Sequence, residues 1–397
     1  MRYNKSTLPN FSKRSFISLF HFIILSCSEE ATHQTFHPPP TADEQIALPQ
    51  PAKPVLEVNS DNSYPPHSPI KADEEIIFFP TMAQLKGSFW QIPIHGWIYE
   101  PEPNDSLRNL MIGQLNDLLD INEQELQSQI FADRLHAFMV DNERNKQITI
   151  RIGEENFMLP ESAENGHFYG TLQIKPEQAA QLAPTGVLHF TAITRPEDRR
   201  NFTGQSFLLS HQGLMIISDI DDTVKISQVR DKKALLRNTF LQPFQPVPGM
   251  AQVYQNWVTQ QTAHLHFVSS SPWQLFPVIN QMLNQARFPA ATFDLKNFRP
   301  KDTSILNLFT DPETTKAATI EPILQAFPER KFILVGDSGE KDPEVYAALG
   351  KKYPTQIEKI FIRDVTGDNF GGPRYRAAFA GFPRERWQIF TNPSELP

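Results

Sequence analysis

The chain has 397 residues and 40% hydrophobic content, enough to bury more than one apolar core and to hold two domains with tails. Its formal net charge of −8 argues against nucleic acid as the main partner, which wants a basic face, and an anionic ligand would need a local basic patch. The lone cysteine, Cys27, excludes an intrachain disulfide and any cysteine-built metal site.

The first 26 residues carry Arg2, Lys5, Lys13 and Arg14 and no acid. They lead through FISLFHFIILSC, an apolar run of about a dozen residues that ends at Cys27 and is too short to span a bilayer. Ile24-Leu25-Ser26-Cys27 resembles a bacterial lipobox, in which the cysteine is lipidated and becomes the new N-terminus. His21 and the isoleucine at the first lipobox position depart from that pattern. The expectation is a lipoprotein-type signal peptide over 1–27, lipidation at Cys27, and anchoring in the cell envelope of a bacterium, facing the periplasm. Residues 28–74 are proline-rich and polar without helical or strand period, which predicts a disordered linker.

From 75 to 210, alternating runs such as FWQIPIHGWIYE, KQITIRIG and HFYGTLQIKP are punctuated by Pro, Gly, Asn and Asp. They predict a β-sandwich-like domain, interrupted by a helical passage from about Ser106 to Val140. His95, His136, His167 and His189 are scattered and read as surface or core histidines. From 211 to 397 the texture changes to strands (LMIIS, HLHFVS, KFILVGD, IEKIFIRDV) alternating with helix-like stretches around 248–261, 273–286, 319–327 and 342–350. That pattern predicts an α/β domain with a parallel sheet covered on both faces, whose ligands gather beyond the carboxyl ends of the strands.

Those carboxyl ends carry the chemistry-bearing residues. LMIIS runs straight into Asp219, Asp221 and Asp222, and like charges that close repel unless a cation sits between them. The second strand leads into Ser269-Ser270-Ser271, the third into Gly336-Asp337 with Asp342 shortly after. Each is weak evidence alone, but together they converge on one sheet edge. Asp222 and Thr223 divide between turn formation and chemistry. The serines also suit a helix start with Pro272, and a helix N-terminus is itself a phosphate site.

DIDDT, FVSSSPW, a lysine and VGDSGEKDPE, in that order, resemble the haloacid dehalogenase superfamily of phosphatases. The fuller wording, SDIDDTVK, PFQPVPGM, FVSSSPWQL, FPERKFILVGDSGEKDPEVY and IFIRDV, resembles the catalytic domain of the actin-patch type of phosphatidate phosphatase over about 211–366. The resemblance implies a HAD-like Rossmannoid parallel sheet with Asp219 as the nucleophile that forms an aspartyl-phosphate. It also implies Mg²⁺ bound by the Asp219 carboxylate, the Asp221 backbone carbonyl and Asp337, with Asp342 supporting. Asp221 would act as general acid and then base. Ser269 would donate to a phosphoryl oxygen, helped by the Ser270 and Ile220 amides, and Lys316 would bind phosphate, with Lys296 the runner-up.

The gaps between these motifs are too short for a large cap domain, so the site should be open, which suits a membrane-held substrate. Lys225, Arg230, Lys232, Lys233 and Arg237 alternate with Leu235, Leu236, Phe240 and Phe244. Such a mixture seats on anionic headgroups or forms the solvated face of a cap helix. Arg299 and Lys301, with Lys296, form a second basic cluster. The reading is a lipid-anchored, Mg²⁺-dependent phosphatidate phosphatase working at a membrane surface. The alternatives are action on another phosphomonoester (lysophosphatidate, a phosphoprotein or a soluble phosphate) and a non-catalytic surface lipoprotein.

Overall fold

The computed structural model describes residues 55–56, 67–101, 105–298, 313–368 and 370–397. Cys27 with its signal-like run, most of the proline-rich segment, and Arg299 and Lys301 lie outside the described residues. Among the described residues no helix is long and apolar enough to cross a membrane.

The strand-rich region is one ten-stranded sheet. Its spine is the 13-residue strand Phe89–Pro101. That strand pairs with His167–Ile174 on one edge, and with Thr81–Lys86 and then Glu75–Phe79 on the other. Glu155–Glu161 closes the far end of the strand order, yet only the turn 162–166 separates it in sequence from His167–Ile174 near the opposite end. The sheet therefore curls back on itself, and the sandwich-like expectation takes the form of one continuous sheet around an apolar cluster that includes Ile92, Ile150, Phe168 and Phe190. His95 and His167 are not scattered. They face each other across paired strands, Nε2 to Nδ1 at 2.9 Å, both buried, and burial pulls His167 down to about 3.

The helical passage resolves into Asp105–Leu119, Glu123–Leu126 and Gln129–His136, followed by the short strand Val140–Asn142. Asn122 and Ser128 cap the second and third helices through their side-chain oxygens.

Beyond it lies a second sheet, built from β1 (Leu214–Ser218), β2 (His264–Pro272), β3 (Ala291–Lys296), β4 (Lys331–Asp337), β5 (Ile357–Arg363) and β6 (Trp387–Phe390). All its pairings are parallel and the order is β3-β2-β1-β4-β5-β6, the doubly wound arrangement with its switch point between β1 and β4. Every residue of β1 is buried because both faces are covered. Leu214 and Ile216 join one core, and Met215 and Ile217 the other, as the two-residue side-chain period requires. The covering helices include Met250–Gln261, Phe276–Gln285, Glu313–Ala326 and Asp342–Lys352.

Two differences from expectation matter here. The helix expected near 319–327 begins at Glu313 and continues through Pro322, so Lys316 lies within it rather than ahead of it. The two folded regions also share a core. Phe79 and Trp97 from the first sheet, and Leu115, Phe131 and Phe138 from the helical passage, sit in one cluster with Leu236, Phe240 and Phe276. The Phe79 and Trp273 ring centroids are 4.2 Å apart.

Candidate active site

Ser218 pairs with Phe267 of β2 on one side and Val335 of β4 on the other. Asp219 therefore leaves β1 level with the strand ends from which Ser269 and Asp337 project, and its N–H still donates to the Val335 carbonyl at 2.9 Å. The Asp219, Asp337 and Asp342 carboxylates are buried, with oxygens within 4.8 Å of one another. Lys316 reaches this cluster from its helix: Nζ is 3.2 Å from Asp219 Oδ1, 2.5 Å from Asp342 Oδ1 and 3.1 Å from Glu340 Oε2. Lys316 is thus the lysine beside Asp219, whereas Lys296 ends β3, two strands away.

The electrostatics are those of a site short of positive charge. Burial, then the neighbouring Asp342, Glu340 and Asp337 charges, push Asp219 well above the usual carboxylate range against the pull of Lys316. Asp337 is raised in the same sense by burial, Asp342 and Glu340. Burial opposes the Lys316 charge, but Asp219, Asp342 and Glu340 outweigh it and hold the ammonium charged. Asp337 Oδ1 accepts from the Gly339 amide at 2.6 Å, while its Oδ2 is buried with no hydrogen-bond partner. An orphaned carboxylate oxygen beside two more buried carboxylates fits a hard divalent cation such as Mg²⁺, which takes oxygen ligands. Asp342 Oδ2 accepts from the Asp337 amide at 3.2 Å, and a Cβ on Gly336 would lie 2.1 Å from that same oxygen. Only glycine leaves room there.

Asp221 stands apart from this cluster. Its Oδ1 meets Lys225 Nζ at 2.7 Å and accepts from Ser227 Oγ at 2.7 Å. Its Oδ2 accepts from Ser269 Oγ at 3.2 Å and Ser271 Oγ at 2.8 Å. Burial alone would raise its pKa, but Lys225 and the Ser227 and Ser271 hydroxyls outweigh burial and hold it at about 2. As it stands Asp221 is a carboxylate, so an acid role requires a proton to arrive with substrate. Ser270 is buried between the two serines that bind Asp221.

Asp222 has a left-handed backbone (φ 54°) and accepts from the Ser227, Gln228 and Val229 amides, which makes it the former of the loop after β1. Thr223 Oγ1 donates to Asp219 Oδ2 at 3.3 Å.

The basic stretch divides. Arg230, Lys232 and Lys233 are exposed around the start of helix Lys232–Phe240, which Asp231 caps. Lys225 is buried on Asp221, and Arg237 is tied to Glu125 and to the Leu119 carbonyl at 3.1 Å, so neither is a free surface base. Leu235, Leu236 and Phe240 belong to the core, and Phe244 is half-buried beneath Lys225 and Arg134, so these residues do not point toward a membrane. The sequence assigns no role to Ser227 or Glu340, and it marks Ser271 only as part of a helix start and phosphate loop, not as a partner of Asp221. Ser271 and Glu340 sat inside quoted motifs, but only the turn geometry shows which hydroxyl or carboxylate faces inward.

Residues 214–364 match the family model described as "Phosphatidate phosphatase APP1, catalytic domain". Phosphatidate phosphatase APP1 of Saccharomyces cerevisiae is 30% identical over 240 residues, 59% of this chain and 40% of its own. An uncharacterized protein of Schizosaccharomyces pombe is 33% identical over 168 residues, 41% of this chain and 27% of its own. The chain thus spans less than half the length of either relative. A Thermotoga maritima crystal structure assigned as a beta-phosphoglucomutase aligns with 46% of this chain and 95% of its own at 13% identity, with a TM-score of 0.27, too low to argue from. With the parallel sheet and its acidic carboxyl edge in place, residues 214–364 are similar to the catalytic domain of phosphatidate phosphatase APP1.

Proposed function

We propose that this chain is a Mg²⁺-dependent phosphate-monoester hydrolase acting on phosphatidate through an aspartyl-phosphate. The observation that carries the reading is the buried Asp219–Asp337–Asp342 cluster, with the Lys316 ammonium on Asp219 and Asp342. Asp219, Asp337, Asp342 and the Asp221 carbonyl are the groups that would hold the metal. When bound, it supplies positive charge against the nucleophile and the phosphoryl oxygens.

The Asp219 carboxylate attacks phosphorus, forming the acyl-phosphate bond as the P–O bond to the alcohol breaks. Lys316, already on Asp219, neutralises phosphoryl charge, and Ser269 turns its hydroxyl from Asp221 to a phosphoryl oxygen. That turn frees Asp221 Oδ2 of one hydrogen-bond donor, and the incoming substrate brings the proton that the acid needs. Asp221 gives its proton to the departing alkoxide, then takes one from the water that hydrolyses the intermediate. A lipid substrate is supported by the kinship of residues 214–364 and by the exposed Arg230, Lys232 and Lys233. Anchoring through Cys27 would hold the enzyme at that surface.

Asp219→Asn should lower phosphate release by several orders of magnitude with the circular dichroism spectrum unchanged. Phosphatidate in mixed micelles should be preferred over soluble aryl, sugar and peptide phosphates. Near wild-type turnover by Asp219→Asn would sink the catalytic assignment, and preference for a soluble phosphate would sink the lipid.

A further inference from the structure

Lys225 is 2% exposed, and its ammonium faces inward. Nζ lies 2.7 Å from Asp221 Oδ1, 2.5 Å from Ser227 Oγ and 4.7 Å from the Phe244 ring centroid. Ser227 Oγ donates to the same Asp221 oxygen, so Lys225 and Ser227 grip Oδ1 while Ser269 and Ser271 hold Oδ2. A lysine carries a flexible four-carbon stem, and something must fix it if it is to fix its neighbour. Phe244 does so, since an ammonium over an aromatic face is attracted to it and loses its freedom there. The ring is held in turn. The Ile226 amide donates to the Gln245 carbonyl and the Val247 amide to the Val224 carbonyl, both at 2.8 Å, which stitches the Phe244 segment to the acid loop. The guanidinium of Arg134, from the helical passage, lies 4.2 Å from the Phe244 centroid, and Arg134 Nε donates to the Thr239 carbonyl at 3.1 Å.

We propose that Lys225, clamped by the Phe244 ring, is a positioning residue for Asp221. It fixes one carboxylate oxygen, so that the other is presented to the serine loop, where the phosphoryl group and its leaving oxygen would sit. This inference rests on the phosphatase reading above, and it gives the helical passage a part in the reaction through Arg134 and Phe244.

The test compares first-turnover release from 4-nitrophenyl phosphate, whose phenolate departs without a proton, with that from phosphatidate in mixed micelles, whose alkoxide needs one. A misplaced acid costs the second reaction on the order of a hundredfold and the first about tenfold or less. Lys225→Gln should therefore lower the phosphatidate-to-aryl rate ratio by about tenfold or more. Lys225→Arg, which keeps a cation, should restore most of it. Phe244→Leu should shift the ratio in the same direction, and Phe244→Tyr, which keeps the ring, should not. Should Lys225→Gln fail to fold, Phe244→Leu against Phe244→Tyr decides alone. An unchanged ratio in folded Lys225→Gln or Phe244→Leu overturns the positioning role and leaves the phosphatase reading standing. Wild-type protein that releases phosphate from neither compound overturns the phosphatase reading, and this inference with it.

Discussion

Asp337 Oδ2 is a buried carboxylate oxygen that nothing in the described protein satisfies, and its neighbours make ionisation costly. Asp219 and Asp337 are both raised, so the folded chain binds protons there that the unfolded chain has already released. Their contribution to stability therefore declines as pH rises through and above the ordinary carboxylate range. Asp221 has the opposite sign: held at about 2, it stabilises above the ordinary range and loses that contribution as pH falls through about 2. Metal-stripped protein should then show a melting midpoint that drops as pH rises above the ordinary carboxylate range, and excess Mg²⁺ should flatten that slope by replacing protons as the counter-charge. A midpoint that is flat without metal, or a slope indifferent to Mg²⁺, would show that the cluster is not short of a cation.

At the level of elements, the parallel sheet was legible because fully buried strands such as LMIIS and KFILVGD are apolar runs ending in acids. The antiparallel strands were legible by alternation. The short strand Trp387–Phe390 was not, since four residues carry too little period. Helix Lys232–Phe240 is the instructive case. Its bases and apolar residues read equally as a membrane seat or as an amphipathic helix, because composition does not reveal partners. The partners of Arg237 are on Leu119 and Glu125, more than a hundred residues earlier in the sequence. Arg237→Ala should therefore lower thermal stability, by about 1 kcal/mol given its partial exposure, with little effect on vesicle binding. Replacing Arg230, Lys232 and Lys233 together by Gln should do the reverse, weakening action on phosphatidate in anionic vesicles while sparing the melting midpoint and soluble aryl phosphate. Raised salt should mimic the triple change in the wild type. Equal loss on both substrates would assign these bases to the scaffold.

Across the whole molecule, the boundary near residue 210 marks a change of texture but not a break in the core. Phe79 packs against Trp273 and meets Phe276 edge-on, and the helical passage joins Leu236 and Phe240 with Leu115, Phe131 and Phe138 in one core. Cutting at 211 would return such side chains to water at about 1.5–3 kcal/mol each. A handful of them consumes the whole stability of an ordinary domain, about 5–15 kcal/mol. The cut would also remove Arg134 from Phe244, and so loosen the clamp on Lys225. A fragment comprising 211–397 should therefore be insoluble, or soluble with exposed apolar surface that binds a hydrophobic dye. A chain comprising 67–397 should melt in a single transition. If the shorter fragment folded with an undiminished melting midpoint, or the longer chain melted in two separate steps, the strand-rich region would be an appended domain rather than part of the catalytic fold.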